Sequence, residues 1–105
     1  MRDLSLEQME GDVWGDAPPG SPPALVAAHE LRRRPMSTLG PGDLRLLVDR
    51  GIGLSVLMPR VLTLLTRDAA AHADLVAAVV GVPGEFWTTH PAEHARLRVI
   101  LGWQA

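Results

Sequence analysis

The segment GDVWGDAPPGSPP, residues 11–23, restricts the fold more than any other part of the sequence. Its four prolines fix the φ angle and remove backbone donors, so neither a helix nor a strand runs through this segment. Trp14 nevertheless places a large apolar ring between the carboxylates of Asp12 and Asp16. Two roles fit this tryptophan: it anchors an irregular arm to the protein's own helices, or it serves as an anchor for a partner.

The length and charge of the chain indicate one small globular domain with an acidic arm. A chain of 105 residues, 47% of them hydrophobic and 21% charged, has the size and composition of one domain, so we predict a single domain over residues 1–105. A net charge of −2 and an isoelectric point near 6.0 argue against a dedicated nucleic-acid binder. Residues 1–20 hold five acidic side chains against one arginine, which gives −4, so residues 1–23 form the acidic end.

The same sequence favours a protein of the cytoplasm. It has no cysteine, which excludes disulfides and thiolate metal ligands. Its first ten residues, MRDLSLEQME, carry acids where a signal peptide needs an apolar stretch. The longest apolar run, residues 75–82, is too short to cross a membrane. We therefore expect a cytoplasmic protein that has no membrane partner.

Apolar residues outside the arm recur at intervals of three and four, which is typical of helices. No run alternates with period two, and VAAVVGV is the one place where a strand could lie. We predict an all-α fold: a compact single-domain bundle of about five to six short helices. Residues 1–23 form an irregular acidic arm with one short helix, and residues 24–105 form the helical core. The helices are predicted near residues 6–10, 22–33, 41–51, 54–67, 70–80 and from 91 onward.

Several helix ends are predicted from individual residues. Ser5 and Gln8 have the spacing of a capping box, and Ser21 is placed to cap a helix whose first residue is Pro22. Pro59 predicts either a kink or a late start in the fourth helix. Trp87 and Trp103 are predicted to close the core around the last two helices.

The string HPAEH, residues 90–94, matches the H-x-x-E-H pattern of inverted zinc peptidases. Two ligating histidines must project from one helical face, but Pro91 belongs at a helix start and leaves His90 outside that face. No acidic residue follows His94 to complete a ligand set. The sequence therefore does not support a zinc site.

Other candidate residues also favour structural roles. His29 lies on a half-buried helical face, and Ser55 in GLSVL lacks the second glycine of a nucleophile elbow. A chain without lysine cannot form a phosphate loop of the G-x-x-x-x-G-K type. We assign no catalytic residue, no cofactor and no metal ligand. The run Arg32, Arg33, Arg34 fits the negative end of a helix dipole better than a phosphate site.

Three strings carry a resemblance to a known family: SLEQMEGDVWGDAPP, LVAAHELRRRPMSTL and DLRLLVDRGIGLSVLMPRVL. In them the chain resembles the immunity proteins of bacterial contact-dependent growth inhibition systems. The resemblance covers somewhat over half of the chain. It implies a small helical cytoplasmic protein that binds and neutralises a cognate toxin domain, frequently a nuclease.

Under this resemblance we expect the protein to occlude the toxin sterically and electrostatically. The favoured contact residues are Asp12 and Asp16, with Asp68 and Asp74 as a secondary patch, because acids oppose the basic cleft of a nuclease. The resemblance implies a structural role for Trp14, and a partner anchor is the second interpretation. The alternative function is a small helical adaptor or a helix-turn-helix-like, DNA-associated regulatory module, since DRGIGL resembles a tight turn between helices.

Overall fold

The computed structural model describes residues 3–102, and in this part of the chain it contains seven α-helices and no strand. The helices are α1 (Leu6–Glu10), α2 (Pro23–Arg33), α3 (Pro41–Asp49), α4 (Leu54–Asp68), α5 (Ala73–Val80), α6 (Gly84–Thr89) and α7 (Pro91–Ile100). Short 3-10 turns cover Met36–Thr38 and Ala70–His72. The predicted all-α class is confirmed, and none of these helices combines the length and apolarity that crossing a membrane requires.

Helix α1 begins as predicted, at a capping box. The Ser5 N–H donates to Oε1 of Gln8 over 2.9 Å, and the Gln8 N–H donates back to Oγ of Ser5 over 3.2 Å. These two bonds satisfy backbone donors that a helix start leaves free. Leu6 follows directly and is fully buried, so α1 belongs to the folded core although it lies within the acidic arm.

The predicted start of α2 is wrong by one residue. The helix begins at Pro23 with Pro22 as its N-cap, and Ser21 forms no side-chain cap. The Ser21 hydroxyl instead donates to the carbonyl of Pro18. A capping hydroxyl usually accepts the backbone N–H two or three residues later. Pro22 and Pro23 have no N–H, so the Ser21 hydroxyl has no donor two residues later and bonds within the preceding turn instead.

Helix α4 is the central element of the bundle. It begins at Leu54 and continues through Pro59 to Asp68, so the predicted late start is wrong. Five of its side chains are buried on one face: Leu57, Met58, Val61, Leu62 and Leu65. Their spacing of three and four is the pattern from which the helix was predicted.

The last third of the chain departs most from the prediction. The segment predicted as one helix over residues 70–80 is divided into a 3-10 turn and α5, and VAAVVGV is helical through Val80. Helix α6 was not predicted. Helix α7 begins at Pro91 with His90 as its N-cap, as predicted, but its Val99 is 80% exposed and does not join the core.

Every helix contributes at least one buried side chain to a continuous hydrophobic cluster. Leu6 reaches it from α1 and Leu97 from α7, at opposite ends of the described chain. Trp87 of α6 is buried in this cluster, as predicted, whereas Trp103 lies outside the described residues. Such joint burial makes the helices depend on one another for stability, since helices this short are marginal alone.

Candidate protein-binding surface

The irregular part of the acidic arm is fastened to α2 by a buried arginine. The Arg32 side chain is 1% exposed, and its Nη2 donates to Oε1 of Glu10 over 2.7 Å. Its Nη1 donates to the backbone carbonyl of Asp12 over 2.8 Å. Arg32 lies in the last turn of α2, as predicted for a basic residue that opposes the helix dipole. The sequence did not predict that the arm covers this arginine and supplies its partners.

Trp14 covers the same arginine from another side. The guanidinium carbon of Arg32 lies 4.1 Å from the centre of the indole, a distance at which a cation and an aromatic face attract each other. The His29 ring meets the indole edge-on, with the ring centres 5.1 Å apart. The indole N–H donates to Oδ2 of Asp12 over 3.1 Å.

Trp14 covers Arg32 but is itself only partly buried. The residue remains 39% exposed and is absent from the hydrophobic cluster. A guanidinium and an imidazole, both polar, form its inner contacts, so the ring seals a charged site rather than filling an apolar one. Its outer part is left accessible to another molecule.

Two further contacts hold the arm along α2. Nδ1 of His29 lies 3.0 Å from the carbonyl oxygen of Gly15. Nη1 of Arg33 lies 3.0 Å from Oδ1 of Asp16, in an ion pair whose acid side chain is 90% exposed. A solvated pair of this kind contributes at most about 1 kcal/mol. The buried contacts of Arg32 are therefore the main attachment, and those of His29 and Arg33 set the direction of the arm.

Large apolar side chains are exposed around this attachment. Met9 of α1, Val13 and Trp14 of the arm, and Val26 of α2 are each at least 39% exposed. Val26 lies one helical turn before His29, which contacts the indole. We call these four residues, together with Asp12 and Asp16, the arm surface. An exposed apolar patch with polar residues at its rim is typical of a protein-binding site.

The second predicted pair of acids lies elsewhere in the fold. Asp68 ends α4, and its Oδ1 accepts the backbone N–H of Ala71 over 3.1 Å. Asp74 is exposed in the first turn of α5. Within residues 3–102, no hydrogen bond or ion pair connects either residue with the arm surface. The structure thus groups Asp12 and Asp16 around Trp14 and does not group the four acids together.

The histidines considered for chemistry make contacts between helices. Nε2 of His90 lies 3.3 Å from Oγ of Ser55, while its Nδ1 lies 2.8 Å from the carbonyl oxygen of Phe86. The imidazole also stacks on the Phe86 ring at 4.1 Å, and the His94 ring lies 5.6 Å from that of Trp87. Among the described residues, no group of His, Asp and Glu side chains is arranged to hold a metal ion.

The sequence pointed to the arm but missed the residue that attaches it. The sequence gives no reason to choose among three successive arginines at a helix end. In the structure Arg32 differs from its neighbours because the arm packs on it and Glu10 forms a buried ion pair with it. One signal was available: Arg32 lies one residue after buried Leu31 and four after buried Ala28, on the inner side of the helix.

Comparison with known proteins identifies the family. A family model described as CDI immunity proteins, where CDI stands for contact-dependent growth inhibition, matches residues 8–97. The match includes residues 8–23 of the arm, Arg32 and nearly all of the helical core. No curated protein sequence and no solved structure matches the chain. The chain belongs to the family of CDI immunity proteins, whose role is to neutralise a cognate toxin in bacterial competition.

Proposed function

We propose that this protein protects the cytoplasm of its cell by binding tightly over a cognate toxin domain, and that it performs no chemistry itself. The observation that carries the proposal is the family match over residues 8–97. The role requires a stable surface that complements another protein in shape and charge. Retention of a toxin with nanomolar affinity needs about 12 kcal/mol, which a few buried anchors within an interface of ordinary size supply.

We propose the arm surface as the contact with the toxin. Its exposed apolar side chains, of which Val13 is 75% exposed, would lose contact with water on binding. Asp12 and Asp16 would lie at the edge of that contact, where they attract a basic partner and speed the encounter. A nuclease toxin has a basic cleft because it holds phosphates, so these acids would oppose the cleft and occlude it.

The attachment of the arm supports this assignment. A segment with four prolines makes few backbone hydrogen bonds of its own, yet Arg32, His29 and Arg33 contact it at separate points. A segment that is already ordered before binding loses less conformational entropy when the complex forms. In this proposal Trp14 has a structural role on its inner side, and residues 1–23 act as the binding arm of the core formed by residues 24–105.

Asp68 and Asp74 extend the proposal to a secondary acidic patch. Asp74 is exposed, and Asp68 uses one carboxylate oxygen to accept a local backbone N–H, which leaves the other oxygen for a partner. No hydrogen bond or ion pair within residues 3–102 connects this patch with the arm surface, so we propose that a toxin that reaches both extends around the bundle.

Co-expression with the toxin encoded by the neighbouring gene tests the function. We expect the protein to restore growth to cells that produce this toxin and to form a complex with the purified toxin domain. Unrelated toxins of the same chemical class are the control and should remain lethal. Cells that stay unprotected from the neighbouring toxin, or turnover of a small substrate by the purified protein, would contradict the proposal.

A further inference from the structure

We propose that a groove along α4, with arginines on its sides and an apolar floor, is a second binding surface that takes an acidic segment of the cognate toxin. This inference rests on the proposed function but concerns a different face of the molecule from the arm surface. Its charge is also opposite to that of Asp12 and Asp16. The toxin would thus be recognised through both signs of charge.

Two adjoining cavities form this groove. The first, about 480 Å³, lies between α3 and α4 and has Leu39, Leu44 and Leu64 in its lining. The second, about 490 Å³, lies between the end of α4 and α7 and includes Ile100. Arg67 lines both cavities. We call the two cavities, which meet at Arg67, the α4 groove.

Three arginines border the α4 groove. Arg60 and Arg67 line the first cavity and Arg96 lines the second. Nη2 of Arg96 donates to Oγ1 of Thr63, 3.1 Å away, which brings the guanidinium from α7 onto α4 between the other two arginines. Arg60 and Arg67 are seven residues apart in one helix, a rise of about 10 Å. The groove therefore presents positive charge along roughly two helical turns.

These arginines differ from those around the arm in having no carboxylate partner. Arg32, Arg33, Arg34 and Arg45 each form an ion pair, whereas Arg60, Arg67 and Arg96 form none with any carboxylate in residues 3–102. Arg50 and Arg98 also form none, but they do not line the groove, so the groove is distinguished by three unpaired arginines that border the same apolar cavities. An acidic ligand would supply the missing partners through charge-assisted hydrogen bonds, for which the guanidinium fork is well shaped.

Two acids face the ends of the groove, and both already accept hydrogen bonds. Ser37 donates its backbone N–H and its hydroxyl to Asp3, and these bonds, together with the more distant charge of Arg60, hold the pKa of that carboxyl below its ordinary value. Asp68 accepts the N–H of Ala71 in the second cavity. Neither acid forms an ion pair with the three arginines. The free oxygen of Asp68, which belongs to the proposed secondary acidic patch, makes the far end of the second cavity acidic, so the positive part of the groove is the stretch from Arg60 to Arg67.

The composition of the groove favours a protein ligand over a nucleic acid. Leucines, Pro59 and Ile100 line it between the arginines, and such a lining suits apolar side chains rather than a phosphate backbone. The whole chain carries a net charge of −2, which opposes the approach of a polyanion. A segment with carboxylates at intervals of about two helical turns and apolar residues between them fits both features.

Charge reversal in the α4 groove tests the inference. The variant combines Arg60→Glu with Arg67→Glu, and its control combines Arg50→Glu with Arg98→Glu, which changes the net charge equally outside the groove. Affinity for the purified toxin domain is measured by calorimetry at two salt concentrations. We expect the groove variant to bind at least tenfold more weakly, with a smaller salt dependence, and the control to bind within threefold of the unmodified protein.

The outcomes separate this inference from the function. Equal affinities of the groove variant and the control would overturn the inference and leave the function standing, whereas absence of any complex with the unmodified protein would overturn both. If the unmodified protein and the control bind an oligonucleotide and the groove variant does not, while toxin affinity is unchanged, the groove is a phosphate site and the inference is overturned. If the charge reversal lowers the helical circular dichroism signal, the milder variant Arg60→Gln with Arg67→Gln is used in its place. Its affinity for the toxin domain is expected to fall at least threefold.

Discussion

The guanidinium of Arg32 lies beneath the indole of Trp14, with 4.1 Å between its central carbon and the ring centre. Glu10 and the carbonyl of Asp12 hold the same guanidinium, which is almost completely shielded from water. A buried cation is costly unless it is paired and hydrogen-bonded. The arm and α2 therefore stabilise each other: α2 provides the charge that positions the arm, and the arm provides the partners that make this charge tolerable.

Arg32→Ala is expected to lower the free energy of unfolding by about 3 kcal/mol, because it leaves Glu10 without its partner and opens a space under the indole. Urea denaturation followed by circular dichroism measures the change. Arg33→Ala is the matched control, since its ion pair with Asp16 is exposed, and should cost at most about 1 kcal/mol. Equal losses in the two variants would show that burial of Arg32 contributes nothing.

Trp14→Ala is expected to destabilise the protein by about 2 kcal/mol, less than for a fully buried tryptophan, because the ring is 39% exposed. Limited proteolysis should cut residues 11–20 faster than in the unmodified protein, since the arm loses its cover over Arg32. Val13→Ala, at a residue 75% exposed, is the control and should leave both measurements nearly unchanged. Native stability with loss of toxin binding would instead establish Trp14 as a partner anchor.

Gly53→Ala is expected to cost about 3 kcal/mol or more. Gly53 has φ +64°, and an added Cβ would lie 2.6 Å from Cδ2 of Leu6, so the fully buried Leu6 side chain would have to shift within the core. Gly51 has nearly the same angle, φ +68°, but an added Cβ would contact nothing within 4 Å. Gly51→Ala should therefore cost only about 1 kcal/mol, and similar thermal melting of both variants would contradict the packing of α1 against this turn.

The double charge reversal Asp12→Lys with Asp16→Lys is expected to weaken toxin binding at least tenfold and to reduce its salt dependence. Both acids belong to the arm surface, where Asp16 is 90% exposed. Asp49→Lys with Glu85→Lys, which reverses two exposed acids outside that surface, is the control for net charge. An unchanged affinity of the arm variant would remove Asp12 and Asp16 from the interface.

The parts of the fold that follow from local rules were predictable. The capping box of Ser5 and Gln8 places α1, and five apolar residues at spacings of three and four define α4. Pro91 at the start of α7 correctly puts His90 at its N-cap. Each of these features depends on residues within a few positions of one another, so the sequence alone determines them.

The features that depend on distant contacts were not predictable. Helix α6 has only six residues, too few for a periodic pattern, and it forms where Trp87 reaches the core. Val99 lies in an apolar stretch but is exposed. Leu97 faces the core, and Val99, two residues later, lies on the other side of α7. The inward position of Arg32 depends on Glu10 and Asp12, which are twenty or more residues away.

The arm has an inner side that the fold fixes and an outer side that it does not. Leu6, Glu10 and the ring of Trp14 contact the core or Arg32, whereas Val13 and the Asp16 carboxylate project into solvent. Under the proposal that the arm surface contacts the toxin, randomising Val13 and Asp16 is expected to change the target with little loss of stability, whereas changes on the inner side are expected to destabilise the fold. In a scaffold for engineered inhibitors built on this fold, the varied residues would therefore be confined to the outer side of one short loop.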